Sequence, residues 1–181
     1  MFDLPSSIPS GLTHFQTAEK AKSHAWRHDH KKALALYREA MHQAQRDNAD
    51  PIFLRHYTEC VLESLEAMGQ YQDVLSYCEE ALSHYDAAPP ETHLARCDVA
   101  AIHERRGINA AKAGDVDLAK ISCQKACELA KVLGQQLPVA EKLLRWLQSG
   151  LHISAERISS EQERAGYFSV RSQQESMKLN A

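Results

Sequence analysis

The sequence predicts an all-α fold, an α-α superhelix of about three helix pairs closed by a C-terminal capping helix. Three observations lead to this prediction. Helix-forming residues are abundant, and only six prolines and seven glycines interrupt 181 residues. Apolar residues recur with helical spacing, and a motif of similar composition returns at long intervals. Runs of β-branched residues and Asn-Gly hairpin turns, which would favour strands, do not occur in the sequence.

The repeated motif is a break followed by a small or β-branched residue, a larger apolar residue and alanine. It is found in AWRHDHKKALALYREAM (25–41), MGQYQDVLSYCEEAL (68–82) and AGDVDLAKISCQKAC (113–127). Ala33, Val74 and Ala119 hold matching positions, separated by 41 and 45 residues. Intervals of this length are typical of stacked supersecondary units. We therefore expect each unit to be a pair of antiparallel helices that approach closely at the alanines.

The first six helices are predicted from this periodicity near 12–27, 30–47, 52–68, 71–85, 91–113 and 116–133. Asp50-Pro51 and Pro89-Pro90 separate the pairs, because proline is favoured in the first turn of a helix and disfavoured in its interior. Asp115 is a candidate N-cap for the helix that follows it.

The C-terminal part predicts one capping helix over 138–164. Its apolar face is formed by residues spaced three or four apart, namely Ala140, Leu143, Leu144, Leu147, Leu151, Ser154 and Ile158. The predicted organisation is an N-terminal segment 1–11 and a helical repeat domain 12–165. This domain contains units 12–47, 52–85 and 91–133 and the capping helix. Residues 166–181 lose the periodicity and are expected to form a flexible tail.

Charge and composition bear on the class of partner. The net charge of −3 argues against a nucleic-acid partner, which would require a basic surface. No signal peptide or long apolar segment is found, so membrane insertion is not expected. The five cysteines are odd in number and lie within helical patterns, which favours buried thiols in a reducing, cytoplasmic compartment.

The sequence offers few candidates for catalysis or metal binding. His24, His28 and His30 are the best histidine cluster, but a helix break separates them and a fourth ligand is lacking. The segment His103–Gly107 begins like a zinc protease motif and ends in glycine, so the second zinc ligand is missing. No phosphate-binding or nucleophile motif is present. We therefore expect no enzyme, no cofactor and no metal.

The stretch Gly107–Ala130, GINAAKAGDVDLAKISCQKACELA, resembles the tetratricopeptide repeat. Gly107 matches the small residue of the first helix, Ala119 the alanine of the helix crossing, and Cys123 the large aromatic position. The repeat's Trp and Leu positions hold His103 and Arg106, and its closing proline is missing. The long intervals are similar to those of the long-helix variants of this family.

The resemblance implies a concave groove, lined by the first helix of each pair, that binds a peptide or helix of a partner. The residues it assigns to the groove are Phe15, Lys22, Trp26, His56, Glu59, Glu63, Glu66, Glu104, Ile108 and Lys112. Glu59, Glu63 and Glu66 are spaced to form an acidic stripe suited to a basic ligand, or an ordinary solvated helix face. Trp26 is either an interface anchor or a residue buried against the next helix.

These observations predict a noncatalytic scaffold for protein–protein interaction, with a bacterial chaperone or adaptor as the specific version implied by the family. A peptide-sensing regulatory domain and a structural subunit of a larger assembly are the alternatives. The sequence leaves the oligomeric state open. It also leaves open whether the groove, the convex face or the tail is the main binding surface.

Overall fold

The computed structural model describes residues 13–170 and shows that this part of the chain is all-helical. The predicted fold class is confirmed at this level, since consecutive helices pack against each other within each part of the fold and the described residues contain no strand. The predicted N-terminal segment 1–11 and residues 171–181 lie outside the described range. The helices are α1 (Thr13–Trp26), α2 (His30–Arg46), α3 (Pro51–Ala67), α4 (Tyr71–Ala87), α5 (His93–Ala113), α6 (Val116–Leu133), α7 (Pro138–Gln148) and α8 (Ala155–Arg164).

The first six helices begin and end within two residues of the predicted bounds, and local capping residues explain several of these ends. The Asp115 carboxylate accepts the main-chain N–H of Leu118 at 3.0 Å, so the predicted N-cap of α6 is confirmed. Asp50 caps α3 in the same way, with Pro51 in the first turn. Gly114 ends α5 with a φ of 88°, a left-handed conformation that glycine adopts without steric cost.

The single capping helix predicted over 138–164 is wrong, because two helices occupy this region. Gly150 has a φ of 73°, which ends α7, and the chain has no helical turn again until Ala155. Ser154 then caps α8 by accepting the N–H of Arg157 at 3.3 Å. The apolar spacing continued across the break, so periodicity alone did not reveal it.

The described residues form two compact units, which divide between α3 and α4. The first unit contains 13–69 together with 168–170, and the second contains 70–167. The core of the first unit is rich in alanine: α1 and α2 each contribute three buried alanines. Small side chains allow the axes of these two helices to lie close together. The same core includes Tyr37, Tyr57 and Cys60.

In the second unit α5 is the central helix, which contacts α4, α6, α7 and α8. Its crossing with α6 is closest at Gly107. A Cβ atom added at Gly107 would lie 2.5 Å from Cys123 Sγ, 3.1 Å from Cys123 N and 3.3 Å from Ala119 O. The two helices can therefore pack at this distance because position 107 has no side chain.

We predict that Gly107→Ala destabilises the protein. Overpacking at such a contact costs about 1–3 kcal/mol, which exceeds the gain of about 1 kcal/mol in helix propensity. The measurement is the free energy of unfolding in urea of four proteins, namely the wild type, Gly107→Ala, Cys123→Ala and the double variant.

The matched comparison is the double variant, in which the thiol nearest the new methyl group is absent. The loss of unfolding free energy in the double variant should be smaller, by more than about 0.5 kcal/mol, than the sum of the losses in the two single variants. A Gly107→Ala protein as stable as the wild type would show that the crossing has room for a side chain.

Candidate functional site

The best candidate for a binding surface lies on α1 and α3 in the first unit. These helices contact each other, and His14 Nδ1 and Tyr57 OH form a buried hydrogen bond of 2.8 Å between them. Phe15, a predicted groove residue near the start of α1, leaves 45% of its surface exposed. In this unit, α1 and α3 are thus neighbouring helices.

A cluster of charged and titratable side chains lies on these two helices. Lys22 donates to Glu19 at 2.8 Å, and both interact electrostatically with His56. Burial is the main cause that lowers the pKa of His56, and the Lys22 ammonium lowers it further, while Glu19 and Glu59 oppose this effect. His56 is therefore neutral at pH 7.

Cys60 and His56 form the one cysteine–histidine contact on this surface, with 3.7 Å between Sγ and Nε2. Such a pair could be nucleophilic only if the thiol ionised readily. Burial, reinforced by the Glu63 carboxylate, instead raises the pKa of Cys60 to about 12. The thiol is fully buried and remains protonated, so it packs as an apolar group.

Glu63 is the residue of the predicted acidic stripe that binds the segment 169–170. Its side chain is buried, close enough to Cys60 and Tyr37 to raise the pKa of both groups. The main-chain N–H of Ser169 donates to Oε1 of Glu63 at 2.6 Å, and that of Val170 donates to Oε2 at 3.1 Å. The two carboxylate oxygens thus bind two consecutive N–H groups of a non-helical segment that bends at 169 and 170.

Residues 168–170 were expected to belong to a flexible tail, yet they lie in the first unit. The Val170 side chain packs against the alanine-rich core of that unit, while Ser169 is exposed. Sequence reasoning missed this contact because the donors are main-chain groups, which every residue except proline possesses. The only usable signal was the apolar pair Phe168 and Val170 in a polar tail.

Two other predicted groove residues of the first unit are less accessible than the groove model requires. Glu66 is 3% exposed, so the stripe is not an open acidic surface along its whole length. Trp26 is half-buried, and its indole Nε1 is buried without a hydrogen-bond partner among the described residues. This placement favours the burial alternative for Trp26 over the anchor.

In the second unit, Ile108 is fully buried in the core around α5 and is corrected from a groove residue to a core residue. Lys112 donates to Ser159 at 2.7 Å and lies 6.0 Å from the centre of the Tyr71 ring. Glu104 is buried and accepts the main-chain N–H of Ala140 at 3.1 Å. These side chains are used in packing α5 against its neighbours within the unit.

Glu104 supplies a cap that α7 lacks locally. Leu137 holds the N-cap position of α7 and makes no side-chain hydrogen bond there, so the α5 carboxylate binds an N–H of the first turn instead. Burial raises the pKa of Glu104 to about 7, although the Ala140 N–H and the Arg105 guanidinium act in the opposite direction.

The histidine cluster of the first helix pair adopts a different arrangement from a metal site. His24 Nδ1 lies 3.2 Å from the Asp29 carboxylate, and His28 has a left-handed backbone with a φ of 59°. Within 13–170, no group of three or more His, Cys, Asp or Glu side chains is placed to hold a metal ion.

The buried Glu104 carboxyl predicts a pH-dependent stability. The pKa of Glu104 in the folded protein exceeds its ordinary value of 4.5. The protonated carboxyl group therefore contributes its full stability to the fold below pH 4.5, and this stability is lost as pH rises through 7. The difference between these pKa values corresponds to roughly 3 kcal/mol. Glu104→Gln keeps an oxygen acceptor for Ala140 but cannot ionise, so it should be more stable than the wild type at pH 8.

The measurement is the free energy of unfolding of both proteins in urea between pH 4.5 and 8. The difference between them should grow with pH, while Glu79→Gln, an exposed carboxyl on α4, should track the wild type. Parallel curves for the wild type and Glu104→Gln would contradict the prediction.

Comparison with known proteins does not assign the chain to a family. No protein-family model, curated protein or solved structure matches it. None of the helices within 13–170 has the length and apolar character needed to cross a membrane. The geometry of the α1–α3 surface is therefore the main guide to function.

Proposed function

We propose that this protein is a noncatalytic scaffold of the tetratricopeptide type that binds a non-helical peptide segment of a protein partner on the α1–α3 surface. The observation that carries the proposal is the contact of Glu63 with the N–H groups of Ser169 and Val170. In this contact a non-helical segment binds through its main chain and through one apolar side chain. These are the two elements by which scaffolds commonly hold peptides.

The charges beside Glu63 favour a partner segment with basic residues. Glu19 and Glu59 outnumber the single ammonium of Lys22, and His56 is neutral at pH 7. Such an arrangement steers association and sets orientation more than it adds affinity. An adaptor or chaperone that presents one partner to another is the use that this surface suits best.

The state of the cysteines supports a reducing compartment. All five are free thiols, and burial raises the pKa of both Cys60 and Cys123 to about 12. Unpaired thiols buried within helices are typical of cytoplasmic proteins. We propose the cytoplasm as the location of this scaffold on that basis.

Charge reversal at Glu59 tests the proposed surface. Tagged wild-type protein and Glu59→Lys are used as baits in the native cell, and bound proteins are quantified by mass spectrometry. Reversal in the α1–α3 cluster should reduce recovery of a specific partner by about tenfold. Circular dichroism checks that the variant remains folded.

The matched control is Glu39→Lys, which makes the same charge change at an exposed position of α2. It should recover the partner as the wild type does. Equal recovery by all three baits would count against the α1–α3 surface, and failure of the wild type to retain any partner would count against a scaffold.

A further inference from the structure

We propose that the segment Phe168–Val170 is a resident ligand of the α1–α3 surface and that it must be displaced before a partner peptide binds. This inference rests on the proposed function and specifies both the ligand and its regulation. The ligand is a non-helical peptide segment that offers two consecutive main-chain N–H groups to Glu63 and an aliphatic side chain at the second of these positions. The protein is thus inhibited by its own C-terminal segment.

The hydrogen bonds define the first requirement. Each oxygen of the Glu63 carboxylate accepts one N–H, at 2.6 Å from Ser169 and 3.1 Å from Val170. Because both hydrogen bonds end on one carboxyl group, this pair fixes the direction of the bound segment. Proline at either position would remove a donor, so the surface rejects proline at both.

Side-chain burial defines the second requirement. Ser169 is exposed, so the identity of the side chain at this position should have little effect on binding. Val170 packs against the core cluster that contains Tyr37, Tyr57 and Cys60. A β-branched side chain is stiff and loses little rotamer freedom on burial, which favours valine or isoleucine at this position.

Covalent attachment makes the resident segment an effective competitor. A tethered segment acts at an effective concentration on the order of 1 mM. A free peptide with the same contacts and a Kd of roughly 0.1 mM would then bind the intact protein about tenfold more weakly than a protein whose segment is released. Release of the segment is therefore the step at which partner binding can be controlled.

The test uses the full-length protein with substitutions confined to the resident segment. Ser169→Pro removes one donor to Glu63, and Ser169→Ala is the matched control, because it retains the main-chain N–H and changes only an exposed side chain. The probe is a fluorescein-labelled peptide with the sequence of residues 166–173, GYFSVRSQ. Its affinity for each protein is measured by fluorescence anisotropy.

The probe should bind Ser169→Pro about tenfold more tightly than it binds the wild type or Ser169→Ala. A second probe with proline in place of the first serine should bind none of the three proteins. Amide hydrogen exchange at Val170 should be slow in the wild type and in Ser169→Ala and fast in Ser169→Pro.

The proposal is overturned if Ser169→Pro does not bind the first probe, if it binds no more tightly than the wild type, or if the proline-containing probe binds equally well. These outcomes are independent of the proposed function, since no natural partner is involved. A partner whose recovery depends on Glu59, together with a probe that fails, would reject the resident ligand alone. A probe that behaves as expected, together with a bait that retains no partner, would reject the scaffold function alone.

Discussion

A carboxylate buried in a helical fold must be stabilised by nearby donors, and both units of this protein meet that constraint with main-chain N–H groups. Glu63 accepts two N–H groups from 169 and 170, and Glu104 accepts one from Ala140 at the first turn of α7. An uncompensated buried charge would cost several kcal/mol. Each glutamate therefore fixes the position of a segment far from it in the sequence.

The two buried glutamates differ in how they satisfy this constraint. Glu104 accepts a single N–H, which is too little to offset the effect of burial. Its pKa therefore rises to about 7, and the carboxyl group is partly protonated near neutral pH. Its pairing with α7 tolerates a proton, because a neutral carboxyl group still has an oxygen that accepts from Ala140. The two oxygens of Glu63, in contrast, each accept one main-chain N–H, so both are occupied by donors.

The sequence predicted the helices well because side chains determine them. Apolar spacing and the capping residues Asp50 and Asp115 are visible in the sequence, and the structure begins α3 and α6 accordingly. The close approach at Gly107 was also predicted, since only a small residue suits such a crossing. The break at Gly150 was missed, because Leu147 and Ile158 keep the spacing of one continuous helix.

The burial of the proposed groove residues was harder to predict than the fold. The groove residues were assigned by family resemblance, which gives the helix face a residue lies on but not the depth at which it is buried. Ile108 and Glu66 are on first helices, as expected, yet both are enclosed. The contact between Glu63 and 169–170 had no signature, because main-chain donors are the same in every non-proline sequence and the partners are 106 and 107 residues apart.

Recognition through main-chain N–H groups has a consequence for the partners of such a surface. The hydrogen bonds to Glu63 discriminate non-helical segments from helices, whose N–H groups are already bonded beyond the first turn, but they do not discriminate among most side chains. Selectivity must then come from the apolar position that Val170 holds and from the charges of Glu19, Lys22 and Glu59. With so few determinants, free peptides should bind weakly, and occupancy would depend on local concentration more than on intrinsic affinity. This is the regime in which a tethered segment of the same chain competes best.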